Sequence, residues 1–167
     1  MLSASDKGYQ EAVRLMLAKG GYTREHAETF YSLGKSVGNK GDYASAIAYF
    51  NIAIMLNPGY PEAYCKRGLN KRRLDDYKSA IEDYSRAIKL RPGYGEAFNN
   101  RGCLKELMNN LDGAISDYTR AIELEPDDIT ALSNRISAYI KKGDLESALE
   151  DFDIKVYGPR DRTLDPD

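Results

Sequence analysis

The sequence predicts an all-α protein built of stacked helix pairs. Three observations predict it. The chain repeats itself every 34 residues, each repeat carries two apolar stripes at helical spacing, and no segment alternates with the period of a strand. With Ala27 as position 1, blocks begin at Ala27, Pro61, Gly95 and Ile129. Blocks two and three agree at 14 of 34 positions. Unrelated stretches of ordinary composition would share about two, so the repetition is real.

In block two, Ala63, Tyr64, Arg67, Gly68 and Lys71 recur at steps of three and four, which predicts a first helix. The chain breaks at Asp75 and Asp76. Tyr77, Ala80, Ile81, Tyr84, Ala87, Ile88 and Leu90 then form a second stripe. Asp42, Asp76 and Asp112 are expected to cap the second helices, because a carboxylate accepts from free N–H groups at a helix start. Pro58, Pro92 and Pro126 stop them. Upstream, Tyr9 and Ala12 fall in the register of a second helix, so residues 6–20 are expected to form an extra N-terminal helix. The repeats are expected over 27–60, 61–94, 95–128 and 129–158, in one domain of residues 1–158. Residues 159–167, charged and broken by proline, are expected to be a disordered tail.

Certain positions hold small or aromatic residues in register. Position 8 holds Gly34, Gly68 and Gly102. Position 20 holds Ala46, Ala80, Ala114 and Ala148, and position 27 holds Ala53, Ala87 and Ala121. Position 24 holds Phe50, Tyr84, Tyr118 and Phe152. A glycine inside a helix costs about 1 kcal/mol relative to alanine, so three in register point to a close helix approach. This pattern, with an aromatic or apolar position 4 and proline at 32, resembles the tetratricopeptide repeat. Block four departs from it: Ile136 replaces the glycine, Lys155 replaces the position-27 alanine, and Pro159 comes one place early. The resemblance covers about residues 6–158. It implies a right-handed α-solenoid of about four helix-turn-helix repeats, with the first helices lining a concave face.

Composition narrows the function. The 167 residues carry a net charge of -2, with a pI near 5.6, so no broad basic field invites nucleic acid or anionic lipid. Mean hydropathy is -0.58 and the apolar runs are short, so no membrane span is expected. The N-terminus lacks the layout of a signal peptide, so, if this is the native start, a cytoplasmic location is expected. Two cysteines, Cys65 and Cys103, are expected to remain free thiols.

Motifs of chemistry are absent or explained otherwise. Gly34-Lys35-Ser36 suggests a phosphate loop, but Thr29 stands where the motif needs a glycine. His26 is the sole histidine and has no nucleophile beside it in sequence. The carboxylate pairs, such as Asp127–Asp128 and Asp151–Asp153, show no opposed environments. No catalytic residue, metal ligand or cofactor is therefore expected. Lys66-Arg67 and Lys71-Arg72-Arg73 form the strongest local charge anomaly. Arg67 recurs as Arg101 and Arg135 and reads as structural. The others suit a solvated face or an acidic peptide.

The expected function is a noncatalytic scaffold that binds a partner protein or peptide. By the helical period, positions 2, 5, 6, 9 and 12 or 13 of each first helix share a stripe. In the family resembled, that stripe faces the groove. The residues expected there to touch a partner are Tyr31, Lys35, Lys66, Leu69, Arg73, Asn99, Asn100, Cys103 and Asn134. Amides at Asn100 and Asn134 would hydrogen-bond an extended backbone. Some family members clamp the C-terminal carboxylates of heat-shock chaperones. The places of that clamp hold Tyr31, Lys35, Lys66, Glu96 and Asn100 here, or Cys65, Leu69, Asn100, Thr130 and Asn134 one repeat on, and only Asn100 fits. No such clamp is expected. Two other readings remain: a recognition arm of a larger enzyme, and an RNA-binding solenoid, against which the acidic balance argues. Both ends look uncapped, which implies either a piece of a longer protein or a homo-oligomer.

Overall fold

The structure, a computed structural model, describes residues 14, 15, 18, 20 and 23–157. Residues 14, 15 and 18 are helical. The rest of the expected helix 6–20 and the tail 159–167 lie outside the described residues. After a 3-10 turn at Arg24–His26, eight helices follow: α1 Ala27–Asn39, α2 Tyr43–Leu56, α3 Pro61–Arg73, α4 Tyr77–Leu90, α5 Gly95–Leu107, α6 Leu111–Leu124, α7 Ile129–Lys142 and α8 Leu145–Tyr157. Among the described residues there is no strand. The protein is an all-α helical repeat.

The chain forms two compact units, residues 1–90 and 91–167. In the first, α1 packs on α2, α2 on α3 and α3 on α4. In the second, α5 packs on α6, α6 on α7 and α7 on α8. Each unit thus holds two helix pairs, and within each unit the second helix of the first pair is covered by the first helix of the next.

Each pair closes at its turn in the same way. The residue two before the second helix has a positive φ: Gly41 at 88°, Asp75 at 59°, Asn109 at 60° and Gly143 at 84°. This left-handed conformation is open to glycine and tolerated by Asn and Asp, whose short polar side chains bond locally. The next residue caps the helix. Asp42 accepts from the Ser45 N–H at 3.1 Å, Asp76 from Ser79 at 3.3 Å, Asn110 from Gly113 at 3.1 Å and Asp144 from Ser147 at 3.2 Å. The expected cap Asp112 is corrected by this register. It lies in the first turn of α6 and pairs with Lys142 at 2.7 Å. The prolines behave as expected, two residues beyond the ends of α2, α4 and α6.

The position-8 glycines are where the two helices of a pair meet. A Cβ on Gly34 would sit 2.8 Å from the Phe50 ring, on Gly68 3.0 Å from Tyr84, and on Gly102 2.7 Å from Tyr118. Those three rings are fully buried. In the last pair Ile136 stands in place of glycine, and Phe152 is 50% exposed. A branched side chain stands at the position where the other pairs have the glycine, and no described helix follows α8.

A second contact recurs at the same pitch. Arg67 donates through Nε and Nη2 to the two carboxylate oxygens of Asp83, Arg101 to those of Asp117, and Arg135 to those of Asp151. All three aspartates are buried. Lys71 adds to Asp83 at 2.9 Å, and Lys105 to Asp117 at 2.7 Å. Block one has Leu33 and Tyr49 in these places instead. Arg135 also reaches Thr119 Oγ1 at 3.0 Å, and Arg67 reaches Asn51 Oδ1 at 2.7 Å, so these two guanidiniums each join their own pair to the preceding second helix within the unit. Burial pushes the Arg135 pKa down, but the Asp151 carboxylate more than reverses that and holds it above its usual value.

Two stability outcomes follow. Asp117→Ala strands the partly buried Arg101 and Lys105, and should cost about 3–5 kcal/mol in chemical denaturation. Asn109→Gly relieves a left-handed backbone and should raise stability by about 0.5–1 kcal/mol, against a loss of similar size for Gly41→Ala.

Candidate functional site: the groove side of the first helices

In the first unit, α1 and α3 lie side by side. Lys35 and Asn39 come from α1, and Lys66, Leu69, Asn70 and Arg73 from α3. With Gly38, Tyr43 and Phe50 they line a cavity of about 350 Å3. The structure therefore brings four of the expected groove residues, Lys35, Lys66, Leu69 and Arg73, to one place. No carboxylate lines the cavity.

Tyr31 goes elsewhere. It is 9% exposed and packs with Phe50 and Tyr60, at ring-centre distances of 5.8 and 5.0 Å. Its ring carries the Lys35 ammonium at 5.4 Å, so it seats a groove cation from below. The basic run on α3 divides in the same way. Arg67 and Lys71 are both held by Asp83, so Lys71 belongs with the structural arginine and not with a ligand face. Lys66 and Arg73 line the cavity, and Arg72 stands outside its lining. The recurrence of Lys71 as Lys105, with Asp83 as Asp117, is the signal that could have shown the place of Lys71.

Sequence reasoning missed Asn70. It is 7% exposed, and its Nδ2 donates to the Lys66 carbonyl at 2.7 Å. A Cβ on Gly38 would lie 2.7 Å from Asn70 Oδ1, so glycine there lets the amide lie against α1. Asn70 stands where the other blocks have Ser36, Leu104 and Ala138, and a lone amide in that series was the available clue.

The second unit has a different groove side. Asn134 donates its Nδ2 to Asn99 Oδ1 at 2.9 Å and to Cys103 Sγ at 3.5 Å. Three expected residues thus meet, on α5 and α7. Asn100 lies half-buried beside them in sequence on α5. Below them, Glu106 accepts from Tyr118 Oη at 2.7 Å, Ser137 Oγ at 3.1 Å and Lys141 Nζ at 2.7 Å. Burial pushes the Glu106 carboxyl up, but these three donors outweigh it and hold its pKa below the usual value. The Tyr118 phenol is pushed up, first by burial and then by its bonds to Cys103 and Glu106.

His26 is engaged by the chain itself: its Nδ1 accepts from the Thr23 N–H at 3.1 Å. Both cysteines are free, Cys65 fully buried and Cys103 partly so. Among the described residues no group of three His, Cys, Asp or Glu side chains could hold a metal. Among them, too, no helix is long and apolar enough to cross a membrane.

Glu106 makes one pH effect predictable. Its pKa is lower folded than unfolded, so its stabilisation is complete above the ordinary carboxylate range and is lost as pH falls through its folded value. Thermal melts of Glu106→Gln should show a lower midpoint at neutral pH and a shallower decline below about pH 5 than the parent.

The chain is similar to known proteins in sequence and in fold. Models described as "Tetratricopeptide repeat" match residues 27–60, 61–94 and 95–128. An uncharacterized protein of Methanocaldococcus jannaschii is 50% identical over 48 residues, which is 29% of this chain and 56% of that protein. The chain thus spans about half the length of that relative. The crystal structure of MamA matches with a TM-score of 0.77 at 26% identity, over 95% of each chain. The first repeat domain of Spaghetti (RPAP3), bound to the HSP90 peptide SRMEEVD, matches with a TM-score of 0.70 at 24% identity, over 71% of this chain and 94% of that one. A 34-residue period, a glycine seated on a buried ring in three successive pairs and three matched repeats lead to one conclusion: the chain belongs to the tetratricopeptide repeat family.

Proposed function

We propose that the chain is a noncatalytic scaffold, working in the cytoplasm, that holds a partner peptide along the groove side of its first helices. The observation that carries this reading is the cavity between α1 and α3, where Lys35, Lys66, Leu69 and Arg73 converge with two amides and no carboxylate. Such a surface offers hydrogen bonds, charge and one apolar contact, which suits an extended and acidic peptide. The RPAP3 domain, bound to an HSP90 peptide ending in acidic residues, supports a peptide as the class of ligand. In the second unit, Asn134 turns its N–H groups toward Asn99 and Cys103, and its carbonyl oxygen becomes the acceptor for an incoming backbone N–H. Asn100 is the second amide of that unit's groove, and Cys103 lies beside it as a packing contact.

The test is selection of binders from a displayed random peptide library. Selected peptides should bind the parent chain, and Asn100→Ala with Asn134→Ala should weaken them about tenfold, roughly 1.4 kcal/mol, with helix content unchanged by circular dichroism. Failure to select any peptide, or equal affinity for the double variant, refutes the groove.

A further inference from the structure

We infer that Glu106 is the charge selector of the second unit's groove side: it holds Lys141 in an internal ion pair, so this unit takes an uncharged stretch of the partner peptide and leaves the acidic stretch to the first unit. The inference rests on the groove reading above and names what the second unit selects against.

The two units supply the comparison. In the 34-residue register, Glu106 is position 12 of the first pair in its unit, and Lys141 is position 13 of the second pair. The same places in the first unit hold Gly38 and Arg73. Gly38 has no side chain to offer, and a Cβ there would stand 2.7 Å from Asn70 Oδ1. The space beside it stays open as the cavity of about 350 Å3, with Arg73 on its lining and no carboxylate. In the second unit the carboxylate is built in.

Glu106 is fixed by more than its cation. Its Oε1 accepts from Lys141 Nζ at 2.7 Å and from Ser137 Oγ at 3.1 Å, and its Oε2 accepts from Tyr118 Oη at 2.7 Å. Both oxygens are engaged and the side chain is only 10% exposed, whereas that of Lys141 is 57% exposed. A peptide carboxylate reaching Lys141 therefore meets an ammonium already neutralised at contact distance, and must approach a second carboxylate to use it. A peptide amide or backbone group meets no such repulsion. Asn99 and Asn134, on the same two helices, offer it hydrogen-bonding partners. Selection here works by penalising the wrong residue.

Two immobilised peptide libraries test this on the full chain, with degenerate flanks and a fixed central glutamate or lysine. The quantity read is the ratio of retention on the glutamate library to retention on the lysine library, to which the first unit contributes alike in every variant. Glu106→Gln keeps an acceptor for Ser137 and Tyr118 and should raise the ratio about threefold, the size of an exposed ion pair. Lys141→Gln should lower it about threefold for the same reason. The two together should restore the parent ratio. Glu123→Gln makes the same change of charge on an exposed side chain of α6 and should leave the ratio unchanged. Far-UV circular dichroism and melting midpoint check folding, and Lys141→Gln, at an exposed side chain, carries the test where Glu106→Gln lowers stability. Retention with a ratio that neither groove substitution moves, or that Glu123→Gln moves as far, overturns the selector and leaves the groove standing. No retention on either library removes the groove and the selector with it.

Discussion

Everything in this molecule depends on how closely two helices of a pair can approach. Gly34, Gly68 and Gly102 remove a side chain at the crossing, and Phe50, Tyr84 and Tyr118 fill the space with a ring from the facing helix. The ring is the largest fully buried side chain of its pair, so it contributes much of the apolar area removed from water. A methyl group in that slot would have to displace an aromatic ring wedged among alanines. Close-packed interiors accommodate such changes poorly. The last pair shows the consequence within one chain: Ile136 takes the slot and Phe152 stands half exposed.

The buried Arg–Asp contacts do a different job. A charged pair inside a protein is weak evidence for net stability, because desolvation offsets much of the attraction. What it imposes is register. Arg67, Arg101 and Arg135 each bond an aspartate of their own pair, and two of them also reach an oxygen on the helix before. A slipped pairing would leave a guanidinium and a carboxylate buried without partners. The three-way contact therefore sets how one pair sits on its neighbour within a unit and, through that, where the groove side chains of α3 and α7 emerge.

The two units put unlike chemistry on equivalent helices. In the first, cations and amides line a cavity without a carboxylate. In the second, Glu106 gathers the hydroxyls and a lysine, and Asn134 is engaged by Asn99 and Cys103. Repetition of backbone positions fixes where such side chains stand, and substitution at positions that do not pack is free to vary their chemistry. Asn70 and Glu106 illustrate this: neither is part of the repeat pattern, and each organises the groove side of its unit.

The repeat itself was legible in the sequence. Period, helix pairs, turn positions, stop prolines and the glycine–aromatic register all follow from residue types whose conformational and packing preferences are local and recur three or four times. The cap at Asp112 was misplaced because aspartate is a good cap residue anywhere near a helix start, and only the 34-residue register selects Asn110. Side-chain partners were less legible. Lys71 looks like one cation in a basic run until Asp83, on the facing helix, is brought against it. Tyr31 falls on the groove stripe by its spacing, and its ring turns into the aromatic cluster instead. Spacing along a helix determines direction from the axis, and so which face a residue shares. Which charge is engaged, which amide is tied down and where a cavity opens depend on the helix opposite, and only tertiary packing decides that.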